Sequence, residues 1–284
     1  MKRMTTVLRE LLASDKVIVC PGVYDALTAR IAEQLGFEML TIGGNSLGSH
    51  LCNAEPTLCL PDLVREARYI TDAINIPLRV DADAGFGEPL HVIRTIRELE
   101  QAGVAAAQIE DQIYPKRAHY HQGIEHTTDA EMMVAKIKAA VAAKRDPDFV
   151  IFARSDAMLT HSFDEGVRRA NLYLEAGADV AHVYPNSVEQ ARLAPKEIKG
   201  HLVYGVSDGN RKGRPILSVQ ELTDMGYKFI IFPTPVIMAV SMAVKGMLET
   251  LKATGRTGID QAEFLSIQKY IEETIGIEVA TVER

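Results

Sequence analysis

The chain has 284 residues, of which 47% are hydrophobic and 24% charged, and this composition suits one large globular domain rather than a disordered or fibrous chain. The formal net charge of -7 and the absence of a basic patch argue against nucleic-acid binding. The amino terminus lacks the apolar core of a signal peptide, and no apolar run is long enough to cross a bilayer. Cys20, Cys52 and Cys59 form no CxxC pair, which is typical of a reducing compartment and predicts a cytoplasmic protein.

Eight short apolar runs are predicted to be β-strands, in chain order at residues 17–22, 38–44, 77–83, 105–111, 149–156, 180–186, 202–207 and 229–234. Amphipathic stretches such as DALTARIAEQLGF and HVIRTIRELEQAGV separate them, with a glycine near the end of each that can close a helix. Apolar strands that alternate with helices indicate a parallel sheet, and eight such units predict an α/β fold, a (β/α)8 TIM barrel. We expect one domain over residues 1–284, with residues 240–284 as a C-terminal helical extension.

Acidic side chains stand where two neighbouring strands are predicted to end. Asp81 and Asp83 end the run PLRVDAD, and Glu110 and Asp111 end the run AAAQIED. Carboxylates that converge on one rim repel each other and lose hydration, so they are tolerated when a hard divalent cation binds among them. This pattern predicts a site for Mg²⁺, with Mn²⁺ as an alternative. Asp111 points to the opposite side of its strand by pleat alternation, which favours a structural role.

The carboxyl ends of barrel strands form one face, where catalytic residues from different strands meet. The residues at these ends mix acids, one arginine and exposed backbone amides, and we expect the ligand contacts among them: Gly43, Gly44, Asn45, Asp81, Asp83, Glu110, Arg154, Asp156, Tyr184 and Ser207. A guanidinium can hold a carboxylate in bidentate fashion, and backbone N–H groups can hold developing negative charge. This combination predicts a small organic acid as the ligand. Asp156 either orients Arg154 or caps the next helix, and the cap is the favoured alternative.

Four motifs occur in a specific order and spacing: PGVYDALTA, DADAGFG, IEDQ followed by PKR, and ARSDA. With these motifs the chain resembles the isocitrate lyase and phosphoenolpyruvate mutase superfamily over about residues 7–250. That superfamily includes 2-methylisocitrate lyase, 2,3-dimethylmalate lyase, oxaloacetate decarboxylase, phosphonopyruvate hydrolase and carboxyphosphonoenolpyruvate mutase. The resemblance implies Mg²⁺, chemistry through an enolate of a pyruvate-like or succinate-like unit, and a barrel whose last helix is swapped between the subunits of a homo-oligomer, usually a tetramer.

The resemblance also implies roles for single residues. Asp81 resembles the direct metal ligand of the family, and Asp83 and Glu110 resemble the acids that hold the metal through water. Arg154 resembles the arginine that binds the substrate carboxylate.

Further roles fall on the loops that follow the strands. Gly44 and Asn45 stand where family members offer backbone amides to a carboxylate or oxyanion, and Glu55 stands where the family has an aspartate near the metal. Lys116 matches the lysine of a loop that closes over the substrate and excludes water. His121 lies in the same loop and is a candidate replacement acid. The catalytic set implied in this way is Arg154, Glu55, Lys116 and His121.

One departure from the family pattern bears on the reaction. The lyases carry KRCGH in this loop, and their cysteine protonates the departing carbanion, whereas this chain has Ala118 at the cysteine position. An alanine cannot donate a proton, which argues against isocitrate or 2-methylisocitrate as substrate. Cleavage of a 2-oxo acid instead leaves pyruvate enolate, which Mg²⁺ stabilises directly and solvent can protonate. The departure favours an oxaloacetate-like or phosphonopyruvate-like substrate.

Other departures keep three functions open. The chain has Gly43 where many members have serine, Gly205 where they have asparagine, Tyr184 where the lyases have glutamate, and Thr234 where oxaloacetate decarboxylases have histidine. The leading hypothesis is a Mg²⁺-dependent lyase that cleaves a C–C bond of a small 2-oxo or 2-hydroxy dicarboxylate and releases a pyruvate-like product. The activity would resemble oxaloacetate decarboxylase or the methylisocitrate and dimethylmalate lyases. The alternatives are an enzyme acting on a C–P bond, against which Ala118 counts, and a non-catalytic binder of carboxylic acids.

Overall fold

The computed structural model describes residues 2–116, 126–210 and 213–276. Its centre is one sheet of eight parallel strands: β1 Ile18–Pro21, β2 Leu40–Ile42, β3 Leu78–Asp81, β4 Ala106–Glu110, β5 Val150–Ser155, β6 Val180–Val183, β7 His201–Gly205 and β8 Phe229–Phe232. From β2 to β8 each strand pairs with the next, β8 pairs with β1, and a bridge between Gly22 and Thr41 connects the chain after β1 to β2. The sheet therefore closes on itself, and the predicted (β/α)8 barrel is confirmed.

Helices follow the strands and cover the outside of the sheet. They are α1 Met4–Ala13, α2 Ala26–Gln34, α3 Gly44–His50, α4 Leu60–Ala73, α5 Pro89–Gln101, α6 Ala130–Ala143, α7 Ala157–Thr160, α8 Phe163–Glu175, α9 Val188–Glu197, α10 Val219–Met225, α11 Pro235–Thr254 and α12 Gln261–Ile275. The side chains of Asp25, Ser162 and Ser187 accept hydrogen bonds from the first turns of α2, α8 and α9, as residues of these types do at helix starts. Gly226, at φ 99°, ends α10 in the left-handed conformation that the sequence predicts.

The strands are buried on both faces, as their apolar sequences require. Side chains two residues apart share a face, so the inward positions form layers inside the barrel. One layer contains the edge-to-face pair of Phe152 and Phe229, whose ring centroids are 5.1 Å apart. Arg154 lies two residues beyond Phe152 and therefore on the same inward face, nearer the carboxyl end. The barrel mouth, meaning the end where the strands have their carboxyl termini, thus receives inward side chains from several strands.

The opposite end of the barrel is covered by α1. Leu8 and Leu12 are buried in one apolar cluster with Ile18 and Phe229 from the strands. Arg9 fixes the helix to the strand ends, because its guanidinium donates to the carbonyl oxygens of residues 148 and 149 and lies 2.6 Å from the Asp179 carboxylate. This end is packed with apolar side chains, so the barrel mouth is where polar chemistry can take place.

The carboxyl-terminal helices pack little against their own barrel. α11 begins at Pro235, directly after β8, so helical structure starts before the predicted boundary at residue 240. α12 is anchored on α2 near its end, where Thr274 is buried and its hydroxyl donates to Gln34 at 3.0 Å. Large apolar side chains of both helices are exposed, and Met242 reaches 75% exposure. Among the described residues, no helix has the length and apolar character needed to span a membrane.

Candidate active site

The acids at the barrel mouth are brought together by the strand register. Asp81 ends β3 opposite Gln108, and Glu110 ends β4 opposite Arg154. Asp83 lies in the loop after β3, with φ at 53°, in the left-handed region that a non-glycine residue rarely occupies. Its backbone carbonyl accepts a hydrogen bond from the Glu110 amide at 3.0 Å, which fixes the loop beside β4. The three acids predicted to surround a metal are therefore neighbours.

Glu110 is the most deeply buried of these acids, with 0% of its surface exposed. Its carboxylate lies 2.8 Å from the Arg154 guanidinium and 3.0 Å from the Lys116 ammonium, yet neither of its oxygens has a hydrogen bond of good geometry. Burial raises the pKa of Glu110 well above its usual value, although Arg154 and Lys116 act against this. A buried carboxylate with unused oxygen lone pairs, beside two further acids, suits a hard divalent cation.

Lys116 bridges two of the acids. Its ammonium is 2.6 Å from Glu55 and 3.0 Å from Glu110, and the residue is only 7% exposed. Burial alone would lower the pKa of Lys116, but Glu110 and Glu55 raise it well above its usual value, so the side chain is charged. Within the described part of the chain, no three acidic, histidine or cysteine side chains already surround one point in metal-binding geometry. Cationic side chains fill that space between the carboxylates.

The Glu55 side chain lies close to the backbone of Gly44. A Cβ atom placed on Gly44 would lie 2.9 Å from Glu55 Oε1, so a larger residue would require the Glu55 side chain to shift. Gly44 and Asn45 form the first turn of α3, whose leading amides have no carbonyl four residues earlier within the helix to bond with. Their part in holding a carboxylate or oxyanion of the substrate stays a prediction. A small cavity in this region is lined by Gly44, Glu55, Asp81 and Asp83 among others.

Arg154 is positioned by Asp156 as well as by the acids predicted to hold the metal. Arg154 Nε and Nη2 donate to the two oxygens of Asp156 at 2.8 and 2.9 Å, while Nη1 faces Glu110. The Asp156 side chain makes no capping hydrogen bond to α7. The favoured cap is therefore wrong, and the orienting role is correct, because a bidentate bond to a buried guanidinium outweighs a cap on a four-residue helix. Burial would raise the pKa of Asp156, but Arg154 holds it below its usual value.

Asp111 has the structural role that pleat alternation predicts. It is fully buried on the other side of β4, where its carboxylate accepts hydrogen bonds from Ser155 at 2.7 Å and Tyr173 at 2.8 Å. Arg169 also donates to it at 3.2 Å. These contacts tie β4, β5 and α8 together behind the acids of the site.

Tyr184 lies beside the arginine of the site. The guanidinium carbon of Arg154 is 4.7 Å from the centre of its ring, and that of Arg214 is 4.6 Å away. The His182 ring, two residues earlier and facing inward, is 4.7 Å from it. Burial raises the pKa of Tyr184 to about 12, so its hydroxyl is neutral. Burial, together with Arg79, Arg154 and Arg214, lowers the pKa of His182 well below its usual value.

The remaining predicted residues lie around this centre. Gly43 is the residue before α3, and Ser207 lies two residues after β7, where its carbonyl accepts a hydrogen bond from Asn210 at 2.9 Å. Neither has a described contact with the acids, so their part in substrate binding stays a prediction. His121, with Ala118 and the rest of residues 117–125, lies outside the described residues.

Two buried cations near the site were not predicted from the sequence. Lys136 of α6 is buried and donates to the carbonyl of Ala84 at 2.9 Å, which anchors the loop after β3 that contains Asp83. Arg79 of β3 is 2% exposed, donates to Thr41 at 2.6 Å and is hydrogen-bonded to Gln108. In each case a charged residue occupies a position where the pattern of its element calls for an apolar one. Lys136 lies in the buried stripe of α6 with Met133, Ile137 and Ala140, and Arg79 lies in the buried strand Leu78–Asp81.

Comparisons with known proteins agree with this geometry. The chain matches the family model described as phosphoenolpyruvate phosphomutase over residues 8–252. It is 38% identical to a 2,3-dimethylmalate lyase of Eubacterium barkeri over 248 residues, which cover 86% of this chain and 85% of that protein. It is 39% identical to a 2-methylisocitrate lyase of Aeropyrum pernix over 259 residues, which cover 90% and 82%.

Solved structures show the same likeness. The structure of an oxaloacetate acetylhydrolase in complex with its product oxalate has a TM-score of 0.88 and 31% identity, and the match covers 97% of this chain and 94% of that one. A phosphonopyruvate hydrolase in complex with oxalate and Mg²⁺ has a TM-score of 0.83 and 25% identity, with 96% and 99% covered. On the family model, the extent of identity and the shared barrel, the chain belongs to the phosphoenolpyruvate phosphomutase family, within the isocitrate lyase and phosphoenolpyruvate mutase superfamily.

Proposed function

We propose that this chain is a Mg²⁺-dependent lyase that cleaves a C–C bond of a small 2-oxo or 2-hydroxy dicarboxylate and releases a pyruvate-like product. The observation that carries the proposal is Glu110. It is a fully buried carboxylate with both oxygens free of well-formed hydrogen bonds, and it lies among acids and two buried cations at the barrel mouth. Two relatives at 38% and 39% identity are named as lyases that act on 2,3-dimethylmalate and 2-methylisocitrate, which supports the same class of reaction here.

The metal would be held by the oxygen ligands of Asp81, Asp83 and Glu110. Carboxylate oxygens suit Mg²⁺, and Mn²⁺ accepts the same ligands. When bound, the metal supplies the positive charge that stabilises the enolate left by bond cleavage. A solved relative that contains both oxalate and Mg²⁺ supports the choice of Mg²⁺.

The protein's own side chains would bind and orient the substrate. Arg154 is fixed by Asp156, so its remaining N–H groups point in one direction and can meet a substrate carboxylate without losing further rotational freedom. Gly44 lines the cavity beside Glu55, and the free amides of Gly44 and Asn45 at the start of α3 would hold an oxyanion of the substrate. Lys116 lies inside the site, at the start of the loop. Its side chain would help to exclude water when substrate is bound.

The loop composition favours 2-oxo substrates. Because Ala118 cannot protonate a carbanion, a substrate whose cleavage leaves pyruvate enolate needs no acid at that position. Oxaloacetate and its substituted relatives are the first candidates. The likeness to an oxaloacetate acetylhydrolase bound to oxalate is consistent with a ligand of this size.

A substrate panel tests the proposal. Oxaloacetate, 3-methyloxaloacetate, 2-methylmalate and 2,3-dimethylmalate would be incubated with Mg²⁺, and release of the 2-oxo acid product, which is pyruvate or its 3-methyl homologue, would be followed with lactate dehydrogenase. We expect turnover of at least one compound that is abolished by chelation and by Asp81→Asn, while an exposed control, Asp164→Asn, keeps full rate. Absence of turnover across the panel, with oxalate still raising the melting temperature, would instead support a non-catalytic carboxylic-acid binder.

A C–P bond reaction is the second candidate, because a phosphonopyruvate hydrolase shares the fold at 25% identity. The same preparation would be incubated with phosphonopyruvate, and inorganic phosphate would be measured. Phosphate release that exceeds pyruvate release from every dicarboxylate would favour this reaction over C–C cleavage.

We also propose that the chain forms a homo-oligomer in which α11 packs on a second copy. α11 follows β8, where a barrel has its eighth helix, yet it contacts α3 of its own chain and leaves most of its apolar side chains exposed. These side chains are Met238, Val240, Met242, Val244, Leu248 and Leu251. Reciprocal packing of two copies would bury them. Light scattering should give a multiple of the 31.2 kDa chain mass, and Met242→Glu with Leu248→Glu should lower it, whereas a single-chain mass at micromolar concentration contradicts this assembly. A cytoplasmic location stays a prediction from the sequence.

A further inference from the structure

The donors of Arg154 are largely occupied by the protein itself. A guanidinium has five N–H groups in a fixed plane. The edge formed by Nε and Nη2 is bonded to Asp156 at 2.8 and 2.9 Å, and Nη1 is 2.8 Å from Glu110 and 3.6 Å from Asp81. The bidentate edge that the sequence assigns to a substrate carboxylate is therefore taken by Asp156. Arg154 alone has too few free donors to bind both ends of a dicarboxylate.

Arg214 presents a second guanidinium at the same place. It stacks on the Tyr184 ring at 4.6 Å, and Arg154 contacts the same ring at 4.7 Å. Stacking uses the face of the guanidinium and leaves its in-plane N–H groups available. Among the described residues, no carboxylate lies within ion-pair distance of Arg214. It is thus a half-buried cation at the barrel mouth, and no acid within residues 2–116, 126–210 and 213–276 forms an ion pair with it.

The backbone around Arg214 is anchored, so its guanidinium is held in place. The Arg214 amide donates to Asn210 Oδ1 at 2.8 Å, and Asn210 Nδ2 donates back to the Arg214 carbonyl at 3.2 Å. The next residue is fixed as well, because the Tyr204 hydroxyl donates to the Pro215 carbonyl at 2.7 Å. These bonds tie the segment to β7, where Tyr204 lies.

Charge is divided between the two sides of the site. Asp81, Asp83 and Glu110 stand at the ends of β3 and β4, where a cation is expected. Tyr184, after β6, contacts Arg214, after β7, and the Arg154 guanidinium contacts the same ring while it also faces Glu110. A ligand with one anionic group at the metal and a second anionic group toward β6 and β7 matches this division.

We propose that Arg214 binds the substrate carboxylate farther from the metal, with Tyr184 as the surface that holds its guanidinium, and that it thereby makes the site selective for dicarboxylates over monocarboxylates. The proposal rests on the proposed function, since it concerns the substrate of the same site. Tyr184 neutralises no charge, so Arg214 keeps its attraction for an anion.

The test uses malate and lactate, two 2-hydroxy acids that differ only in the distal carboxylate. Their binding to the full chain in the presence of Mg²⁺ would be measured by calorimetry, without any requirement for turnover. We expect wild type to bind malate more tightly than lactate. Arg214→Ala should weaken malate binding by about tenfold or more, the loss typical of a charge-assisted hydrogen bond, and should change lactate binding less than about twofold.

Three variants complete the test. Arg214→Lys should recover part of the malate affinity, since it keeps the charge and loses the planar donors. Tyr184→Phe should keep the selectivity, because the ring remains. Arg192→Ala, an exposed arginine on α9, is the control for charge removal and should change neither affinity. Melting temperatures of these three variants and of Arg214→Ala would confirm folding.

The proposal is overturned if wild type binds malate no more tightly than lactate, or if Arg214→Ala weakens both acids equally or neither. Its failure is distinguishable from failure of the proposed function. Selective malate binding that depends on Arg214, without pyruvate release from any dicarboxylate, would refute the lyase and keep the Arg214 assignment. Pyruvate release with unchanged selectivity in Arg214→Ala would do the reverse.

Discussion

Replacing Asp156 with asparagine separates the charge of this residue from its shape. Asp156 is fully buried and forms the bidentate bond that orients Arg154. Asparagine keeps one acceptor and loses the charge, so a buried guanidinium is left with a weaker partner. Removal of one member of a buried ion pair costs about 3–5 kcal/mol. Arg154 keeps Glu110 at 2.8 Å, so we expect a loss at the lower end of that range, about 3 kcal/mol.

The pH dependence of this loss has a definite sign. The pKa of Asp156 in the folded chain lies below its usual value, because the effect of Arg154 outweighs that of burial. The stability that the carboxylate contributes is therefore fully present above the unfolded pKa of about 3.9 and is lost as the pH falls through the lower folded pKa. We expect the difference between wild type and Asp156→Asn to be constant from about pH 5 to 8 and to shrink below about pH 4.

The assay is urea unfolding of both proteins across this pH range, with pyruvate release as a second readout. Asp72→Asn, at an exposed position of α4, is the matched control and should shift stability by less than about 0.5 kcal/mol. We expect activity to fall by more than about tenfold in Asp156→Asn, because Arg154 would no longer be held in one orientation. Stability within about 0.5 kcal/mol of wild type, or a loss that does not depend on pH below 4, would refute the assigned role.

Two further substitutions test the support of the site. Lys136→Met removes the buried ammonium that bonds the loop after β3, and we expect weaker Mg²⁺ binding by calorimetry and a loss of about 1–3 kcal/mol in the free energy of unfolding. Unchanged Mg²⁺ affinity would mean that the loop keeps its position without Lys136. Tyr173→Phe deletes the 2.8 Å hydrogen bond to Asp111, and we expect the free energy of unfolding, measured in urea, to fall by about 1–2 kcal/mol with little change in Mg²⁺ affinity. A large loss of Mg²⁺ binding would place Asp111 within the metal site.

The barrel is predictable from the sequence because its strands follow a simple physical rule. The strands are largely buried on both faces, so each is a short apolar run. Seven of the eight runs contain an observed strand, and β7 begins one residue before its run. The acids that interrupt the ends of β3 and β4 are visible for the same reason. The pleat places Glu110 inward and Asp111 outward, and both positions are observed.

Buried cations are harder to predict. Lys136 and Arg79 occupy positions that periodicity assigns to apolar side chains, and the pattern does not indicate which carbonyl or side chain stabilises a charge there. The cap predicted for Asp156 failed because a local preference competed with a nearby guanidinium, and sequence spacing does not rank the two. Most apolar side chains of α11 are exposed, and the sequence pattern does not indicate what covers them.

Mg²⁺ binding by the acids at the barrel mouth is the central claim, and calorimetric titration of Mg²⁺ in the presence of oxalate tests it most directly. The account predicts saturable binding by wild type and by the exposed control Asp164→Asn, and a loss of at least about tenfold in affinity for both Asp81→Asn and Glu110→Gln. Wild-type affinity in both of these variants would contradict the account, because the divalent cation would then be bound elsewhere or not required.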